Sequence, residues 1–469
     1  MIEFVGILIT SLLGAVLIGA GLFIVWATFS MALRLRQPWL RRLVVGGFSL
    51  LLALALIVCV WGFIAAQRLH REIARITEAG EPIVLAEPPT IRAVVPGRKE
   101  PDARSLYAAA IALHRTNLET DLEALDQIHR ALRDGQELSL TAPQREALDA
   151  ILEANAESMA LLDRATALDH ATPLNAERNS FFMLNAQDGL GAIRRVVNLA
   201  SHRAIAELAD GRHDDAANSV LAIIRGHRML KEDSLVGHML KVAIISLGAE
   251  RVGWVVQHED ASSEKLLDLA SALREAEEGL SLIDALMGER VVGLALMGVV
   301  PGATPAPTAP LSLFPWPIDV ILAADYLRYM REVIDASRRP LPDAIKALPR
   351  VKPRGLFASA LRGSFGTTAK ITGHSFATLR AARLAIACEL YRREHGKLPE
   401  SLAELVPDYL PQIPADPFDG QPMRYRRDAG TVLLYSVGEN GADDWGDVER
   451  SKRGESQDWG VRVRLEPRQ

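Results

Sequence analysis

The chain has 469 residues, with 53 Lys and Arg against 58 Asp and Glu, a net charge of −5 and two cysteines. This is room for a membrane segment plus two or three domains, and the composition lacks the basic footprint of a nucleic-acid binder. Cys59 and Cys388 supply neither a disulfide framework nor a zinc site.

Residues 4–33 and 43–67 carry no charged side chain. About 20 apolar residues cross a bilayer as a helix, because a helix satisfies its own backbone hydrogen bonds in lipid. Residues 1–67 therefore read as a two-helix transmembrane hairpin with spans at about 4–33 and 43–67. Ala15 and Gly19 give a small-xxx-small spacing that suits close helix packing. The loop between the spans holds Arg34, Arg36, Arg41 and Arg42, whereas Glu3 is the only charge before the first span. Short cytoplasmic loops collect Lys and Arg, so the loop is expected in the cytoplasm and both termini outside it, across the cytoplasmic (inner) membrane. Arg68, Arg71 and Arg75 argue for the opposite orientation.

Residues 68–102 read as a juxtamembrane segment and a linker, since Pro82, Pro88, Pro89, Pro96 and Pro101 push their neighbours out of helical geometry. Residues 103–300 are helical in pattern: Leu148, Ile151, Leu152, Met159 and Leu162 share a face, and strand signals are nearly absent. Six or seven helices are expected there, as an irregular bundle or a short solenoid. Thr141 and Gln144 form a capping-box pair. The run 204–216 resembles one tetratricopeptide-like helical pair, with Gly211 closing a helix and Asp214 and Asp215 opening the next. No 34-residue period accompanies it.

Residues 301–366 form a proline-rich connection with a helix at about 319–338. Its basic stretch, which includes Arg338, Arg339, Lys346, Arg350 and Lys352, reads as a solvated charged loop; a place beside anionic lipid headgroups is the other reading. Residues 367–469 read as a small α+β module. A helix to His395 is followed by Gly396, a short helical piece at 401–406 and strand candidates at 423–427, 432–437 and 461–465.

Within that module, Leu390-Tyr391-Arg392-Arg393-Glu394-His395-Gly396-Lys397-Leu398-Pro399, Asp416-Pro417-Phe418-Asp419-Gly420-Gln421-Pro422 and Ser436-Val437-Gly438-Glu439-Asn440-Gly441 occur in order. Together they resemble the C-terminal domain of the major (G-class) pseudopilins of type II secretion, over residues about 381–465. The resemblance implies one Ca2+ held by oxygens of the closing loop. Here Asn440 stands at the usual Asp position, with Asp443, Asp444, Asp447 and Asp458 as the other candidate ligands. Oxygen-rich flexible loops suit such a hard cation. The module lies more than 300 residues from the hairpin and no prepilin leader is seen. It is therefore expected as a borrowed recognition or packing unit and not as a pilus subunit.

Gly373-His374-Ser375-Phe376-Ala377 has the spacing of a nucleophile elbow, but no strand precedes it and no βα units surround it. The histidines are scattered, and neither a phosphate loop nor a dinucleotide fingerprint occurs. No catalytic residue is assigned. These observations point to a membrane-anchored, mainly α protein: an extracytoplasmic helical scaffold or protein-recognition domain, non-enzymatic, beside an envelope secretion or pilus-like machine. A membrane-anchored envelope hydrolase with its site in the helical domain is the alternative. Protein partners are expected and nucleic acid is not.

Overall fold

The computed structural model describes residues 37–83, 103–115, 128, 138–168, 187–230, 234–258, 260–297, 318–353, 355–361, 363–428, 431–448 and 458–465. The first expected span, the linker beyond residue 83 and the proline run at 301–317 lie outside them. The protein is mainly helical, and the chain divides into two compact units.

The first unit comprises residues 1–84, 290–330 and 353–360. Its principal element is α1 (Pro38–Glu78), with Pro38 in the first turn, where a missing N–H costs no helical hydrogen bond. Trp39, Arg41 and Arg42, read from the sequence as loop, already belong to this helix. One stretch of it, Ser49–Glu78, is long and apolar enough to cross a membrane. The helix continues unbroken past the apolar run. Ala65, Leu69 and Ile76 are buried along one face while Arg68, Arg71 and Arg75 are exposed. Just beyond the helix, the nearly buried Arg290 donates to Glu81 (2.6 Å) and to the Pro82 carbonyl (3.0 Å). Arg290 lies on the helix Leu282–Leu296, so this pair fastens the exit of α1.

The second unit comprises residues 85–289, 331–352 and 361–469. After α1, in chain order, come α2 (Ala103–Leu113), α3 (Ala142–Ala154), α4 (Ala156–Thr166), α5 (Gln187–Ala209), α6 (His213–Arg225), α7 (Leu235–Val256), α8 (Ser263–Glu278) and α9 (Leu282–Leu296), the last of which passes from the second unit into the first at Arg290. That is eight among the described residues, where six or seven are expected. The extra boundary is at Asn155, whose non-helical backbone splits one amphipathic run into α3 and α4. The Thr141–Gln144 capping box is formed. Helix α5 ends at Gly211, in the left-handed region at φ +70°, and α6 opens with Asp214 and Asp215 in its first turn.

Next come α10 (Ile318–Ser337), α11 (Leu341–Ala347), α12 (Leu356–Ala360) and the long α13 (Ser364–His395). The basic stretch expected as a loop is a correction: it folds into α11 and a 3-10 turn, because Ala344, Ile345 and Leu348 recur at helical spacing and are buried. Helix α13 is buried on most of its circumference, with Ala377, Leu379, Ala381, Ala382, Leu384 and Ile386 inaccessible. It ends at Gly396, φ +70°, a position that favours glycine.

Strands β1 (Arg424–Asp428), β2 (Thr431–Ser436) and β3 (Trp459–Arg464) form an antiparallel sheet in the order β1-β2-β3. Along β2 the side chains alternate. Val432 and Leu434 enter a core shared with α6, α7, α8 and α13, together with Val461 and Val463 of β3. A single core therefore joins α6–α8 to the C-terminal helix and sheet.

Candidate functional site

The residues of greatest chemical interest cluster around the sheet and its closing loop. Asp416 is the polar centre. It is fully buried and accepts from Phe418 N (2.8 Å), Ser436 Oγ (2.7 Å), Val437 N (2.9 Å) and Arg424 Nη1 (3.0 Å). Asp419 pairs with the same guanidinium. The aspartate thus binds the Pro-rich turn to the end of β2 and to β1.

The closing loop, residues 438–448, folds back over the second face of β2. A Cβ on Gly446 would lie 2.1 Å from Leu433 Cδ2 and 3.3 Å from Tyr435 Cε1, so only glycine permits this approach. The loop is held by its own acidic side chains. Asn440 Oδ1 caps Ala442 N (2.9 Å), and its amide donates to Asp444 Oδ2 (2.7 Å). Asp443 Oδ1 accepts from Tyr435 Oη and from Trp445 N, each at 3.0 Å. Asp458 is inaccessible and accepts from Gly446 N (2.7 Å) and Asp444 N (3.4 Å). Burial is the first cause that raises its pKa. Asp447 contributes its backbone, donating to the Asp444 carbonyl (3.3 Å), while its side chain is exposed.

The loop therefore brings together Asn440, Asp443, Asp444 and Asp458, but not as a cation cage. Their oxygens face N–H and O–H donors of the loop itself, and among the described residues no three His, Cys, Asp or Glu side chains are placed to hold a metal ion. For the calcium implied by the pseudopilin resemblance, a hard cation needs six to eight converging oxygens. Asn440 Oδ1, Asp443 Oδ1 and the Asp458 carboxylate would first have to release hydrogen bonds of the loop. The expected result of titrating Ca2+ into the full chain is no calorimetric uptake and no change in Tm. A saturable calcium-dependent rise in Tm, lost on Asp458→Asn, would show that the loop rearranges into a site.

Sequence reasoning passed over Trp445, although the run Asp443-Asp444-Trp445-Gly446 signals a tight turn bearing an aromatic. Trp445 is 76% exposed and has φ +61°, the only positive φ of a non-glycine among the described residues. For a bulky side chain that conformation costs on the order of 1 kcal/mol. It persists because Asp443 takes the Trp445 amide, Arg426 donates to its carbonyl (2.7 Å) and Gly446 is locked against β2.

The elbow-like motif lies inside α13 and not at a strand-to-helix turn. Ser375 is buried and accepts from Ser246 Oγ at 2.9 Å. Gly373 is explained by packing, since a Cβ there would come within 3.0 Å of both Ile345 Cδ1 and Phe418 Cζ. His374 lies between the rings of Phe418 (4.8 Å) and Trp459 (4.3 Å), and its Nε2 meets Glu439 Oε1 at 3.1 Å. Lys370 pairs with the other oxygen of Glu439 at 2.5 Å. This clamp joins the long helix to the start of the closing loop.

Fold and site together define a mainly helical protein with, among the described residues, one helix suited to a membrane and a small antiparallel sheet that displays a tryptophan on a braced acidic turn. Comparison of the chain with known protein families, with characterised proteins and with solved structures finds no match.

Proposed function

We propose that this chain is an integral protein of the cytoplasmic (inner) membrane, inserted by a two-helix hairpin, with both termini extracytoplasmic. It presents a non-enzymatic scaffold and protein-recognition domain beside an envelope secretion or pilus-like machine. Its C-terminal helix and sheet are the recognition unit, in the manner that the pseudopilin resemblance implies.

One observation carries the reading. Leu50, Leu56, Trp61 and Phe63 of α1 stand 62, 65, 66 and 63% exposed, on a helix whose apolar side chains face outward over several turns. A patch of that size in water is an aggregation site; in a bilayer it is solvated. The orientation is supported by Arg34, Arg36, Arg41 and Arg42 between the two apolar runs. The recognition role is supported by the way the polar groups around the sheet are used. Asp416, Asp458 and Glu439 each brace the closing loop or its neighbours, which makes a rigid platform.

The test is a pair of fusions after Gln469, one with alkaline phosphatase and one with a fluorescent protein that matures only in the cytoplasm. The expected result is an active phosphatase and a dark reporter. A bright reporter with inactive phosphatase reverses the topology, makes Arg68, Arg71 and Arg75 the cytoplasmic charge, and removes the envelope reading.

A further inference from the structure

Trp445 combines features that a purely structural residue does not need together. The indole is solvent-exposed, its backbone is held in a left-handed conformation, and two side chains and a glycine contact brace the turn. Rigid aromatic side chains presented this way lose little entropy on binding and dominate interfaces as hot spots. Around the indole the turn is acidic, with Asp443, Asp444 and Asp447 on either side.

The same compact unit carries a cleft of complementary character. The end of α10 and the segment of α11 with its 3-10 turn enclose about 540 Å³. Ala336, Ala347 and Val351 supply apolar wall, and Arg339, Arg350 and Lys352 supply basic rim. Two acidic residues, Glu332 and Asp335, also line it, Asp335 paired with Arg338 at 3.1 Å, so the three basic groups of the rim outnumber them. The volume lies within the range of sites that take up compact, mostly apolar groups.

We propose that Trp445 of one copy seats in this basic-rimmed cleft of a second copy. The indole fills the apolar wall, a guanidinium stacks over its ring, and the acidic turn meets Arg339, Arg350 and Lys352. The two surfaces are different patches of one chain, so the contact is heterologous and propagates head to tail into a ring or a short filament. It does not use the helix packing of a pilus, and it does not depend on which side of the membrane the domain lies.

The experiment is sedimentation or mass photometry of the full chain in detergent and in nanodiscs. Wild type is expected to associate with rising concentration. Trp445→Ala and Arg350→Glu are each expected to weaken association by about 30-fold or more, the hot-spot range. Trp445→Asn guards against a folding artefact, because Asn tolerates the left-handed region, and it must behave like Trp445→Ala. The decisive sample mixes Trp445→Ala, which keeps the cleft, with Arg350→Glu, which keeps the indole. One intact interface is available in that mixture, so it gives 1:1 pairs and nothing larger. A monomeric wild type, association unchanged in Trp445→Asn, or a mixture that stays monomeric each overturns the proposal. The topology fusions read none of these outcomes.

Discussion

Replacing Asp416 with Ala is expected to lower the Tm of the full chain by about 3–5 °C, from a loss of about 3–5 kcal/mol. The cost arises because the carboxylate is inaccessible and serves four donors at once: Phe418 N, Val437 N, Ser436 Oγ and Arg424 Nη1. Removing it leaves two backbone N–H groups and a hydroxyl buried without an acceptor, at about 1–3 kcal/mol each before relaxation. Arg424 keeps Asp419 as a partner, so the guanidinium is not stranded and the total stays below the simple sum. Asp416→Asn separates shape from charge. It retains one carbonyl acceptor but turns an NH2 toward donors, and should fall between wild type and Ala. Hydrogen exchange locates the effect: the amides of Phe418 and Val437 lose protection first, while those in the middle of α5 keep theirs. Equal loss everywhere, or a Tm within about 1 °C of wild type, rejects the hub role (at ~1 °C per kcal/mol for a chain of this length, that is under about 1 kcal/mol).

Much of this architecture is legible in the sequence because it rests on local rules. The strands at 424–428, 431–436 and 459–464 fall within two residues of expectation, since Tyr and Val runs bounded by Gly and Pro admit few alternatives. The end of α13 is written in Gly396 and Pro399, and the α3 cap in Thr141 and Gln144. The basic segment at 338–352 misled because its charges outnumber the three apolar residues that bury it. Only a tertiary neighbour reveals that Ala344, Ile345 and Leu348 share a face with a core to meet.

The acidic loop shows a different limit. Composition gives oxygens in plenty at Asn440, Asp443, Asp444, Asp447 and Asp458, but not the direction in which they point. The chain directs those of Asn440, Asp443 and Asp458 at its own amides, and the result is a braced turn. Trp445 became visible only with its dihedral angle and its exposure, neither of which a spacing rule contains. The shared core likewise gathers residues far apart in sequence, Leu221, Val252, Leu384 and Val463 among them.

Acidification supplies the second large effect, through His227. This side chain is 4% exposed, and its Nδ1 lies 2.7 Å from the Ile224 carbonyl, which fixes the proton on that nitrogen. Burial first, and the Lys241 and Arg228 charges after the opposing backbone bond, press its pKa from 6.5 down to about 4. Between those two values the unfolded chain binds the proton and the folded chain does not, so stability falls as pH falls. The loss amounts to about 3 kcal/mol by pH 4 and is absent above the unfolded pKa of 6.5. Glu207, Glu289 and Asp458 oppose it, because burial raises their folded pKa values, and a folded state that takes up protons gains stability as pH falls. A single pH profile therefore mixes both signs. The difference between wild type and His227→Gln isolates the histidine, since Gln keeps an N–H donor for Ile224 and cannot titrate. From neutral pH to about 4 the wild type should lose Tm faster than the variant, by roughly 3 °C. Parallel curves would mean that His227 is protonated in the folded chain, with Glu275 close enough to hold the charge.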